Sequence, residues 1–145
     1  MDHEKAVIIL LVEDNAGDVR LTREALHEGK VANELVVASD GAEALAILRQ
    51  EGVHAGAPRP GLILLDLNLP KKDGRQVLAE IKQDPSFKRI PVVVLTTSKA
   101  GEDIVRTCDL HANCFITKPV DFEKFVSVIR SIDQFWLTVV KLSPT

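Results

Sequence analysis

Short apolar runs alternate along the chain with stretches in which apolar residues recur every three or four positions. Residues 7–12 (VIILLV) and 62–65 (LILL) are unbroken aliphatic blocks of strand length, and Pro91 starts another, PVVVLTTS, that ends in three hydroxyl residues. A strand with one wet face alternates apolar and polar residues, so these runs predict strands covered on both faces, as in a parallel sheet. Residues 34–38 (ELVVA) and 113–117 (NCFIT) predict two more. Between the strands, four groups fall at helical spacing: Val19, Thr22, Ala25 and Leu26; Ala44, Leu45 and Leu48; Val77, Leu78 and Ile81; and Ile104, Val105 and Cys108. Asn15 to Gly17 predicts a turn before the first helix, and Gly29 and Gly52 predict the ends of the first two. The third helix must end before Pro85, because the residue preceding a proline avoids the helical region. Residues 53–61 (VHAGAPRPG) predict an ordered surface loop. A last helix is expected over about residues 121–140, where Phe122, Phe125, Ile129, Ile132, Trp136 and Val139 step by three and four. Val128, Phe135 and Leu142 widen that stripe beyond what packing on one sheet usually requires.

Five strand and helix units in alternation imply right-handed crossovers and a doubly wound α/β fold with helices on both faces of a parallel sheet. A length of 145 residues, 46% of them hydrophobic, suits one domain spanning 1–145. With 18 basic against 21 acidic residues and a net charge of -3, the chain has no basic excess for phosphate backbones or anionic lipid, so neither nucleic acid nor membrane is an expected partner. The opening apolar run is too short to span a bilayer and lacks the flanks of a signal peptide, which makes the cytoplasm the expected location. Cys108 and Cys114 form neither a CxxC pair nor a disulfide framework and are expected as small core residues.

Polar residues collect where the strands end. Glu13 and Asp14 follow the first, Asp66 the third, Thr96, Thr97 and Ser98 the fourth, and Lys118 with Pro119 the fifth. Asp66 alone could be a helix or turn cap. Four polar clusters at four strand ends instead predict one rim in the crevice where parallel sheets bind ligands. Three neighbouring carboxylates repel one another unless a cation sits among them, and hard oxygen ligands with open positions suit Mg²⁺. The backbone carbonyl of Asn68 could complete the set. With the Lys118 ammonium also drawing charge, Asp66 can attack an activated phosphoryl group and become an acyl phosphate.

The set of ED after the first strand, D-x-x-x-P-x-x-D-G after the third, TTS after the fourth and KP after the fifth resembles the receiver domain of bacterial two-component response regulators. The resemblance covers roughly residues 6–132 and implies a flavodoxin-like sheet in the order 2-1-3-4-5 with five helices. It further implies that Asp66 accepts phosphate from a sensor histidine kinase, that Glu13, Asp14 and the Asn68 carbonyl hold Mg²⁺, and that Lys118 pairs with the phosphoryl group. Thr96 and Phe115 are then the switch pair, and the Lys118 to Pro119 bond is expected to be cis. Read on its own, Phe115 is a core aromatic. The segments DLNLPKKDGRQVLAEIK, IPVVVLTTS and FWLTVV resemble the small regulators paired with phytochrome-type kinases. In that setting the chain is a single-domain regulator rather than an enzyme, and Phe122, Phe135 and Trp136 belong to a homodimer or partner face.

Two rivals use similar parts. A Mg²⁺-dependent phosphatase of the haloacid-dehalogenase type needs a second Asp two residues after its nucleophile, where this chain has Asn68. A flavodoxin-like nucleotide or flavin binder needs a Gly-rich phosphate loop after the first strand, and EDNAGD is not one.

Overall fold

The computed structural model describes residues 7–28, 33–67, 69, 73–96 and 114–117. Gly29, the expected fourth helix around Ile104, Val105 and Cys108, and the expected last helix lie outside the described residues. Within them the chain runs β1 (Val7–Val12), α1 (Ala16–Glu28), β2 (Asn33–Ala38), α2 (Gly41–Arg49), β3 (Leu62–Asp66), α3 (Gly74–Gln83), β4 (Val92–Thr96) and β5 (Cys114–Thr117). The strands form one sheet in the order β2-β1-β3-β4-β5, and every neighbouring pair is parallel. The flavodoxin-like order expected from the sequence is therefore present.

The unbroken aliphatic runs serve two cores at once. Leu10 and Val12, Ile63 and Leu65, and Val92 and Val94 face α2 and α3, where they meet Ala44, Leu45, Leu48, Val77, Leu78 and Ile81. Their neighbours Ile9 and Leu11, Leu62 and Leu64, and Val93 and Leu95 turn to the other face and meet Ala25 and Leu26 of α1. All five residues of β3 are buried, Asp66 included. Full burial of each large aliphatic side chain is worth about 1.5–3 kcal/mol relative to exposure, which is why the central strands tolerate no polar alternation.

Helix ends follow local chemistry. At the start of α2, the Asp40 carboxylate accepts the Glu43 N–H at 2.8 Å while Glu43 Oε1 accepts the N–H of Ser39, the residue before the cap, at 2.8 Å. The helix closes earlier than the expected Gly52. Gln50 takes the left-handed conformation at φ 55° and ψ 47°, and its side-chain amide donates to the Ala57 carbonyl at 2.7 Å. Gly52 instead opens a 3-10 turn, Gly52–His54, within the predicted loop. Arg59 lies over the Phe87 ring, 5.8 Å from its centroid, and donates to the Ser86 carbonyl, which pins this loop to the one after α3. The half-buried Lys82 ammonium donates to the carbonyls of Ile90 at 2.8 Å and Lys88 at 3.1 Å. Among the described residues, no helix is long and apolar enough to cross a membrane.

Candidate metal centre

β1 and β3 are direct neighbours, yet the helices that follow them, α1 and α3, pack on opposite faces of the sheet. The crevice opens at such a switch point, beyond the carboxyl ends of the two strands. Glu13 stands at its mouth because its N–H continues the strand ladder to the Ala38 carbonyl at 2.9 Å. Asp66 is paired in register with Leu95 of β4, and the next residue, Leu67, donates to the Leu95 carbonyl at 2.9 Å. Both acids are thus carried by backbone tied to a neighbouring strand, Glu13 to β2 and Asp66 to β4.

One carboxylate oxygen each from Glu13, Asp14 and Asp66 lie within 4.8 Å of one another. Glu13 is 2% and Asp66 3% exposed, while Asp14 faces solvent. Among the described residues, no buried side-chain polar atom lacks a hydrogen-bond partner. Glu13 Oε2 accepts the Asn15 N–H at 3.3 Å. Packing three like charges this closely, two of them out of water, is costly unless a positive charge joins them. The donor set is all carboxylate oxygen, which fits a hard divalent cation and not a thiophilic one.

The far wall comes from α3. Asp73 caps this helix, accepting the Arg75 N–H at 2.8 Å and pairing with the Arg75 guanidinium at 2.8 Å. That hydrogen-bonded guanidinium holds the Asp73 carboxyl below its ordinary pKa of 3.8. A Cβ on Gly74 would meet the Asp66 carbonyl oxygen and the Leu67 Cα, each at 2.6 Å. Only a residue without a side chain lets the helix start this close to the strand end. Residue types alone predict a turn built on Pro70, Asp73 and Gly74, and the D-G pair is in fact a cap followed by a point of backbone contact.

Of the residues expected at the rim, the structure brings Glu13, Asp14 and Asp66 together. Thr96 ends β4 opposite Thr117, and Phe115 pairs with Val94 in β5. Asn68, Lys118, Pro119, Phe122, Phe135 and Trp136 lie outside the described residues. Sequence reasoning missed the role of Asn15, whose Oδ1 accepts the Asp18 N–H at 3.0 Å and caps α1. The signal was available, since Asn is among the preferred capping residues, but the stretch Asn15 to Gly17 was expected as a turn and the helix begins at Ala16.

The family model of the response regulator receiver domain matches residues 9–130. This chain belongs to the response regulator receiver domain family. Response regulator Rcp1 of Synechocystis sp. is 51% identical over 135 residues, which cover 93% of this chain and 92% of Rcp1. A crystal structure of the phosphorylated cyanobacterial phytochrome response regulator RcpA is similar with a TM-score of 0.78 and 56% identity, covering 93% of this chain and 96% of RcpA. The Mn²⁺-bound form of Rcp1 is similar with a TM-score of 0.76 and 51% identity over 90% of this chain and 94% of that one. Receiver domains are signalling modules that histidine kinases phosphorylate and that bind a divalent metal, and the acidic cluster of this member fits such an ion.

Proposed function

We propose that this receiver domain takes a phosphoryl group on Asp66 from a sensor histidine kinase and signals by a change in the surface it offers to partners. The observation that carries the reading is the acidic triad, in which a buried Asp at the end of β3 lies within 4.8 Å of two further carboxylates. Glu13, Asp14 and Asp66, with the Asn68 carbonyl, would hold Mg²⁺. When bound, the ion supplies charge neutralisation for the transferring phosphoryl group.

An Asp66 carboxylate oxygen attacks phosphorus, the bond between phosphorus and the kinase imidazole breaks, and the nitrogen electron pair returns to the ring. The product is an acyl phosphate on Asp66. Little proton transfer is required, because such reactions depend on alignment and charge. Lys118 pairs with the phosphoryl oxygens, the Thr96 hydroxyl bonds to them, and Phe115 follows Thr96 inward. Phosphorylation adds about two negative charges at the rim, which is what biases the two arrangements. The role is that of an acceptor and switch, not of a turnover enzyme.

Likeness to Rcp1 and RcpA supports a phytochrome-type kinase as the donor. The wide apolar stripe with Phe122, Phe135 and Trp136 supports a homodimer of this chain. Incubation with Mg²⁺ and a small phosphodonor, followed by intact mass, tests the core of the reading. Wild type gains one phosphoryl group and Asp66→Asn gains none. Modification of both to the same extent would sink the assignment. Light scattering that shows only monomer at high micromolar protein, with and without phosphodonor, would remove the dimer.

A further inference from the structure

We propose that Asn15 is a positioning residue for the metal centre, acting through Glu13; the inference rests on the metal reading above. Three bonds meet at this residue. Its backbone N–H donates to Glu13 Oε2 at 3.3 Å, its side-chain Oδ1 accepts the Asp18 N–H at 3.0 Å, and its carbonyl accepts the Val19 N–H at 3.0 Å. The Glu13 carboxylate is buried at 2% exposure and is aimed by a main-chain donor. The aim of that donor depends on the loop between β1 and α1. Asn15 is exposed, so packing does not hold it. What holds it is the cap, which ties the loop to the first turn of α1.

Gly17 gives the independent second observation. A Cβ there would stand 3.1 Å from Asn15 Oδ1, tighter than ordinary van der Waals contact. Gly is disfavoured within a helix, yet here it leaves room for the capping amide. Both residues therefore shape the same link from helix to carboxylate. A cap that only stabilised α1 would change unfolding and leave metal affinity alone, and that difference is measurable.

Binding of Mn²⁺ is read by electron paramagnetic resonance as loss of the free-ion signal, Mg²⁺ by competition, and stability by urea unfolding in EDTA. Asn15→Ala is expected to weaken both ions about tenfold, the scale seen when the supports of metal ligands are removed. Asn15→Ser keeps a capping oxygen and is expected to stay within about twofold of wild type. Gly17→Ala is expected to weaken binding without lowering the urea midpoint, because Ala favours the helix. Gln50→Ala, at the C-terminal cap of α2, is expected to lose stability and keep its affinity. Wild-type affinity in Asn15→Ala overturns the inference and leaves the metal centre standing. A wild type that takes up neither ion overturns both. Should Asn15→Ala fail to fold, Gly17→Ala decides: unchanged affinity counts against the proposal and reduced affinity supports it.

Discussion

Gly74 and Asp66 touch backbone to backbone: a Cβ on Gly74 would stand 2.6 Å from the Asp66 carbonyl oxygen. Strand and helix therefore meet with no side chain between them at the point where the central acid leaves the sheet. In Gly74→Ala one of them must shift, and neither can yield as a flexible side chain would. The expected result is a loss of about 1–3 kcal/mol in urea unfolding, the usual scale of overpacking. Phosphorylation of Asp66 by a small phosphodonor is expected to slow in the same variant, followed by intact mass over time.

Metal removal has a calculable signature. At a free Mg²⁺ concentration ten times its Kd, the folded state is expected to gain about 1.4 kcal/mol over the same protein in EDTA. Asp66→Asn removes one of three crowded carboxylates. Its stability in EDTA is expected to rise while the gain from Mg²⁺ shrinks, as read by paired thermal unfolding scans.

Asp73 links pH to the start of α3. The Arg75 guanidinium lowers the carboxyl's pKa in the folded state below the ordinary 3.8. A depressed folded value contributes stability that is present above the unfolded value and lost as pH falls through the folded one. The effect is small, since the carboxylate is 37% exposed and screened by water. Comparing acid unfolding of wild type with Asp73→Asn is expected to show a difference that closes below about pH 3.8. Asp73→Ala is expected to cost about 1 kcal/mol at neutral pH by losing the cap.

Gln50 pays for a left-handed backbone with a side-chain bond. Replacing it by Gly removes a strain of about 1–2 kcal/mol and a bond worth about 0.5–1.5 kcal/mol, so Gln50→Gly is expected to be near neutral. Gln50→Ala keeps the strain, loses the bond, and is expected to be destabilised by about 1 kcal/mol. Chemical denaturation of both variants checks the order. Faster amide exchange at His54 and Ala57 is expected in each.

Strands were the most legible part of the sequence, because a run such as LILL has one reading once both faces must be covered. Asp66 was legible as a strand end for the same reason, and the acids of β1 and β3 met because their strands are neighbours. Helix ends were harder to read. Gln50 outcompeted Gly52 as the stop through a bond to Ala57, seven residues on, which no local propensity encodes. Asp73, Gly74 and Asn15 were visible as turn formers, but their work is set by distances across the fold. Lys118 was legible as the polar end of a fifth strand and Asn68 as a neighbour of Asp66, whereas the cis bond before Pro119 came from motif resemblance alone.

The turn that carries Val53, 95% exposed, lies between α2 and β3. Loops of this kind absorb extra residues cheaply, since closure entropy grows only slowly with length. A short reporter peptide spliced beside Val53 would project into solvent, giving a handle for immobilising or imaging the protein while its phosphorylation is followed.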